Sequence, residues 1–109
     1  SPKISHLQML QKLNFRVERN SSKNNLIEIK FQGKFLENKH IKALLNVKNQ
    51  LIKLDLSYSN LNDRMIAKLG SLKKLLYLKI NDTEISEKGL ANISRSVVSL
   101  NLLFTYLIK

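Results

Sequence analysis

Few side chains in this sequence have the chemistry for catalysis: two histidines, His6 and His40, eight acidic residues, and no cysteine at all. A metal centre or a general acid–base pair needs several such groups brought together, and thiolate ligands, haem attachment and cysteine nucleophiles are excluded outright. Neither histidine has a second histidine at ligand spacing or a pair of carboxylates beside it. Asp63, Asp82, Glu84 and Glu87 fall between apolar segments, where they read as turn formers and helix caps. Ser59, Thr83 and Thr105 occupy one repeated turn position, so their hydroxyls are expected to bond turn backbone rather than attack a substrate. No glycine-rich phosphate loop exists. The chain is therefore read as non-catalytic, with no cofactor and no metal.

What could position a binding surface is a repeat. Leu26, Ile29, Phe31, Leu36, Ile41, Leu44 and Val47 recur 25 positions on as Leu51, Leu54, Leu56, Leu61, Ile66, Leu69 and Leu72. A further step of 24 gives Leu75, Leu78, Ile80, Ile85, Leu90 and Ile93, and a step of 22 gives Val97, Leu100, Leu102 and Leu107. Self-similarity at this period is the signature of stacked units that cannot bury an apolar side alone. Alternation in Leu54-Asp55-Leu56 and Leu78-Lys79-Ile80 predicts short strands, and spacing by three in Ile41, Leu44, Val47 and in Ile66, Leu69, Leu72 predicts a short helix or 3₁₀ turn. Asn62 and Ser86 are expected to cap the two best helices, with Asp63 and Glu87 in their first turns, and Gly89 is expected to allow close helix packing.

Residues 1–25 depart from the template and read as an N-terminal cap. Leu7, Leu10 and Leu13 lie on one helix face with Ser5 as its cap, and Phe15 and Val17 supply a covering strand before the polar turn at Asn20 to Asn25. Residues 26–50, 51–74 and 75–96 are the repeats, and 97–109 begin another. The expectation is a single α/β domain: a right-handed leucine-rich-repeat solenoid with a parallel sheet on its concave side, short helices on its convex side, and a helix and strand as cap. The length of 109 residues suits one core rather than two. Leu100 to Leu107 would be the outermost strand, with Leu103, Phe104 and Tyr106 nearby, an edge open to self-association.

The stretch LIKLDLSYSNLNDRMIAKLGSLKKLLYLKINDTEISEKGLANI resembles bacterial leucine-rich repeats of the form LxxLxLxxTxITDxGLxxL. The whole chain is similar to the C-terminal leucine-rich region of large bacterial envelope proteins that carry a planctomycete-type cytochrome c domain. The segment QMLQKLNFRVERNSSKNNLIEIKF is similar to the helix, strand and Asn/Ser turn preceding the repeats there. Thr83 and Thr105 keep the family's threonine, Ser59 is close to it and Lys34 is not. Gly89-Leu90 keeps the Gly-Leu pair that His40-Ile41 and Met65-Ile66 replace. The haem-binding CxxCH is absent, so no redox role carries over. The resemblance implies a binding or structural module in the bacterial periplasm or cell envelope.

Outward strand positions line up in rows that run across the sheet, neighbours within a row about 4.8 Å apart. The first is Glu28, Lys53, Tyr77, Ser99; the second Lys30, Asp55, Lys79, Asn101; the third Gln32, Ser57, Asn81, Leu103. An unidentified protein partner is expected here, contacted by Lys30, Lys53, Asp55, Ser57, Tyr58, Tyr77, Lys79 and Asn81, with Tyr58 and Tyr77 as rigid anchors. Cross-strand pairing on a solvated sheet explains the alternating charges equally well.

The net charge of +11, from 19 basic and 8 acidic residues, raises a second possibility: nucleic acid or an anionic membrane surface on the convex side. Residues 38–50 and 62–74 each gather a net +3 there. No aromatics are interleaved with those lysines and no arginine cluster grips phosphate, which makes nucleic acid the less favoured partner. No apolar run approaches the roughly 20 residues that cross a bilayer, and no signal-peptide pattern opens the chain. Because it begins at Ser1 and stops within a repeat, the chain reads as a processed or excised piece of something longer. The three Asn-x-Ser/Thr sequons, at Asn20, Asn81 and Asn92, are ascribed to chance in an asparagine-rich chain.

Overall fold

The structure is a computed structural model that describes residues 2–20 and 25–103. It is a mixed α/β arrangement: α1 (Ile4–Lys12), β1 (Phe15–Arg19), β2 (Ile27–Phe31), α2 (Asn38–Leu45), β3 (Leu51–Asp55), α3 (Asp63–Lys68) followed by a 3₁₀ turn (Leu69–Ser71), β4 (Tyr77–Lys79), α4 (Glu87–Leu90) and β5 (Ser99–Asn101). The five strands form one sheet in the order β1-β2-β3-β4-β5. β1 runs antiparallel to β2, and every later neighbour is parallel.

Period and register agree. Leu54 pairs with Leu78 and Leu78 with Leu100, the residues 24 and 22 positions on. Ile29, Leu54 and Leu78 point inward and are buried, along with Leu56 and Ile80 at the next inward position. Each fully buried leucine or isoleucine contributes about 1.5 to 3 kcal/mol. The helices pack in chain order, α1 on α2, α2 on α3 and α3 on α4, so one hydrophobic cluster runs from Leu10 to Ile85. At its far end burial declines: Leu100, in the same repeat position as Leu54, is 37% exposed, as are Val98 at 75% and Leu103 at 66%. Phe104, Thr105, Tyr106 and Leu107 lie outside the described residues, as do positions 21–24 of the polar turn.

Two expectations are corrected. Leu26 was aligned with Leu51, but Ile27 pairs with Leu51 and the register then slips so that Glu28 faces Lys53. One extra residue, Ile52, is absorbed there and is itself buried. Ser5 does not cap α1, because the helix begins at Ile4 and the Lys3 carbonyl already accepts the N–H groups of His6 and Leu7. The remaining capping expectations divide. Asn62 accepts the Met65 N–H at 3.0 Å, capping α3. Ser86 holds the N-cap position of α4, its carbonyl accepting the Leu90 N–H at 3.2 Å, but its side chain makes no cap bond to that helix.

Ser86 instead ties two units together. Its N–H donates to Asp63 Oδ1 at 2.8 Å, and its hydroxyl donates to the other oxygen of the same carboxylate. Gly89 packs against that carboxylate so closely that an added Cβ would lie 2.9 Å from Asp63 Cγ. Asn60 makes a second tie, accepting the Leu36 N–H at 2.6 Å and donating to the Leu36 carbonyl at 3.2 Å. Backbone polar groups between units are thereby paired inside the fold, as burial requires. The hydroxyls of Ser59 and Thr83 donate to the carbonyls of Leu56 and Ile80, three residues back in each case.

Candidate functional site

His40 is the one histidine drawn into the interior, and its surroundings give it a structural task. It is 5% exposed, edge-on to the rings of Phe15 and Phe31 at centroid distances of 5.7 and 5.4 Å. Its Nδ1 accepts the Glu37 N–H at 3.0 Å, half of a capping box at the start of α2. Burial lowers its pKa below the ordinary 6.5; the charge of Lys39 acts in the same direction, while Glu37 and hydrogen bonding to the Leu13 backbone oppose it. Below pH 6.5 the unfolded chain takes up this proton before the fold does, so stability present above pH 6.5 is lost as pH falls toward the folded pKa. His40→Gln is expected to flatten that fall in thermal midpoint as pH is lowered from about 6.5; a slope identical to the wild type would remove His40 as its source. No group of three or more His, Cys, Asp or Glu side chains able to hold a metal occurs among the described residues.

The charged groups converge elsewhere, on the outward face of the sheet. The antiparallel register of β1 sets Arg16 opposite Lys30 and Glu18 opposite Glu28, lengthening two rows to Arg16, Lys30, Asp55, Lys79, Asn101 and Glu18, Glu28, Lys53, Tyr77, Ser99. A depression of about 210 Å³ is lined by the charged residues of both rows. A neighbouring one of about 290 Å³ continues past Tyr77, which is 43% exposed, to Ser99 and Asn101. Arg16 and Glu18 were not expected here, since only the pairing of the cap strand as a hairpin brings them to the face.

Among the described residues no ion pair joins the lysines of this face to a neighbouring strand. Arg16 and Glu18 pair with each other at 2.7 Å along their own strand, and Glu28 Oε2 accepts from Asn20 Nδ2 at 3.0 Å. Among the described residues, Lys30, Lys53 and Lys79 have no carboxylate within 4 Å. Lys30, Lys53 and Lys79 thus line one depression together with Glu28 and Asp55, each without an ion pair among the described residues. On the helix side Lys68 Nζ donates to Asn38 Oδ1 and Lys73 Nζ to the Gly70 carbonyl, at 3.0 and 3.1 Å, while Lys42, Lys48 and Lys74 have no ion pair among the described residues either.

The eight residues expected at the site therefore fall into three groups. Lys30, Lys53, Asp55, Tyr77 and Lys79 share the face on three adjacent strands. Ser57 and Asn81 belong to the turns: Ser57 is 7% exposed and its hydroxyl accepts the Asn81 N–H at 3.0 Å, while Asn81 Oδ1 accepts the Leu103 N–H at 2.7 Å. The row that contains them bonds successive turns to one another. Tyr58 stands apart at the rim, 65% exposed. The β5 strand lies at the edge of the described sheet with all three of its residues exposed, and no helix among the described residues is long and apolar enough to cross a membrane. Comparison with family models, with curated proteins and with solved structures returns no match.

Proposed function

We propose that this chain is a non-catalytic interaction module, a right-handed leucine-rich-repeat solenoid that holds a protein partner on the outward, concave face of its sheet. In this reading the strand-helix units of 22 to 25 residues are its repeats, α1 and β1 its cap, and a bacterial envelope protein the larger molecule to which it belongs. The observation that carries the proposal is the placing of lysines without ion pairs on one face: parallel registers set Lys30, Lys53 and Lys79 on three adjacent strands, interleaved with Glu28 and Asp55 and beside a part-exposed tyrosine, Tyr77. Tyrosine is a residue type enriched in binding hot spots, and charges around it steer a partner of complementary charge and fix its register.

The test separates this face from the helix side. The double substitution Lys53→Ala and Tyr77→Ala is expected to weaken partner capture from native extract by at least about tenfold, the effect of losing one hot spot. Lys42→Ala with Lys73→Ala, on the helix side, is expected to leave capture unchanged. Equal capture by the wild type and the Lys53/Tyr77 variant would contradict the proposal. So would capture abolished by the helix-side pair alone, which would move the binding surface to the basic helices and their nucleic-acid or anionic-lipid reading.

A further inference from the structure

Among the described residues, three other than glycine adopt the left-handed backbone region: Asn14 at φ 68°, Tyr58 at 61° and Asp82 at 51°. Asn and Asp accept that region because their short polar side chains bond locally, whereas a bulky ring crowds its own backbone there. Tyr58 and Asp82 hold equivalent turns after β3 and β4. The Tyr58 N–H donates to the Asn81 carbonyl at 2.8 Å and the Asp82 N–H to the Leu103 carbonyl at 2.9 Å. An aspartate satisfies this turn, so the turn itself gives no reason for a tyrosine. Core packing gives none either, since the ring is 65% exposed. A strained backbone position with no return inside the fold points to a contact outside it.

The ring borders a cleft of about 250 Å³ between the ends of β2 and β3, whose charged lining is Lys30, Lys34 and Asp55. Neither lysine has an ion pair or a side-chain hydrogen bond among the described residues, whereas Asp55 Oδ1 is engaged by the Ser57 N–H at 3.0 Å. We propose that Tyr58, Lys30 and Lys34 form a pocket for an acidic side chain of an extended protein segment, with an apolar neighbour of that side chain lying on the Tyr58 ring. This rests on the reading of the sheet face as the partner surface, and it names the class of partner: an acidic peptide. A carboxylate between two ammonium groups gains charge-assisted hydrogen bonds, and tyrosine supplies contact area at low entropic cost. A nucleic-acid strand fits worse. Asp55 beside Lys30 and Glu28 beside Lys53 interrupt the lysines at the spacing of neighbouring strands, so a continuous phosphate backbone meets repulsion where a peptide, whose side chains alternate in side and in charge, need not.

The test is an amide NMR titration of the 109-residue chain with three probes: a blocked glutamate-rich nonapeptide with one central leucine, its glutamine counterpart, and an oligothymidylate of the same length. The glutamate peptide is expected to shift the amides of Lys30, Lys34 and Tyr58 saturably, and the glutamine peptide to leave them in place. Tyr58→Asn suits the left-handed turn, so it is expected to keep or raise the thermal midpoint while weakening the glutamate peptide about tenfold. Unchanged affinity in Tyr58→Asn overturns the proposal, as does an oligothymidylate that shifts the same amides at lower concentration, or a glutamate peptide that shifts none of them. If Lys53→Ala with Tyr77→Ala abolishes partner capture while Tyr58→Asn binds the peptide like the wild type, the pocket is wrong and the sheet-face reading stands. The reverse pattern keeps the pocket and removes the wider face.

Discussion

Leu54→Ala is expected to destabilise the fold by about 3 to 4 kcal/mol, a large part of the roughly 5 to 15 kcal/mol that holds a domain together. Leu54 has no exposed surface and lies in register between Ile29 and Leu78, themselves buried inward residues of neighbouring strands. Its neighbours are fixed by ladder hydrogen bonds on both sides, so they cannot collapse into the space a truncated side chain leaves. The same substitution at Leu100 removes a side chain that is already 37% exposed at the far end of the cluster, and is expected to cost about 1 kcal/mol or less by area. Urea unfolding of the two variants measures both. Equal losses at Leu54 and Leu100 would mean that burial does not decline from β3 to β5 as described.

Asn60→Ala has the second largest expected effect, about 2 to 3 kcal/mol, through a different cause. No cavity is involved. The asparagine side chain satisfies both the N–H and the carbonyl of Leu36, a residue 2% exposed, and its removal takes away the side-chain partner of two part-buried backbone groups. Asn60→Asp keeps an acceptor for the N–H and loses the donor to the carbonyl, so it is expected to fall between alanine and the wild type. Hydrogen exchange locates the damage: the Leu36 amide is expected to lose protection first in Asn60→Ala. Protection retained at Leu36, with stability within about 0.5 kcal/mol of the wild type, would show that the tie carries little.

The strands were legible because alternation and a step of about two dozen residues are one signal repeated. Leu54 and Leu78 satisfy both, and the structure pairs them. The helices were legible from spacing by three. Register at β2 was not, because Leu26 and Ile27 are both aliphatic and adjacent, and Ile52 is a third aliphatic residue that either alignment accommodates. Hydrophobicity alone cannot choose among neighbours of the same kind; hydrogen bonding between strands does. The interior place of His40 depended on Phe15 and Phe31 converging on it from two different strands, a relation no local pattern carries.

The candidate face was legible to the same degree. Outward positions on β2, β3 and β4 follow from alternation, so Lys30, Lys53, Asp55, Tyr77 and Lys79 were found together. Arg16 and Glu18 were not, since strand direction in the cap had to be known first. Ser57 and Asn81 fit the pattern of outward residues, yet side-chain hydrogen bonds between turns engage them. The left-handed conformation of Tyr58 left no trace in sequence, because tyrosine is not a residue that announces such a turn.

The most direct measurement of the arrangement on which all of this depends is the set of cross-strand nuclear Overhauser contacts in the folded chain. Parallel-sheet contacts are expected from Lys53 to Tyr77 and Leu54 to Leu78, continuing from Tyr77 to Ser99 and Leu78 to Leu100, with antiparallel contacts confined to β1 and β2. Antiparallel contacts between β3 and β4, or none between Leu54 and Leu78, would contradict that arrangement and disperse the lysines from their common face.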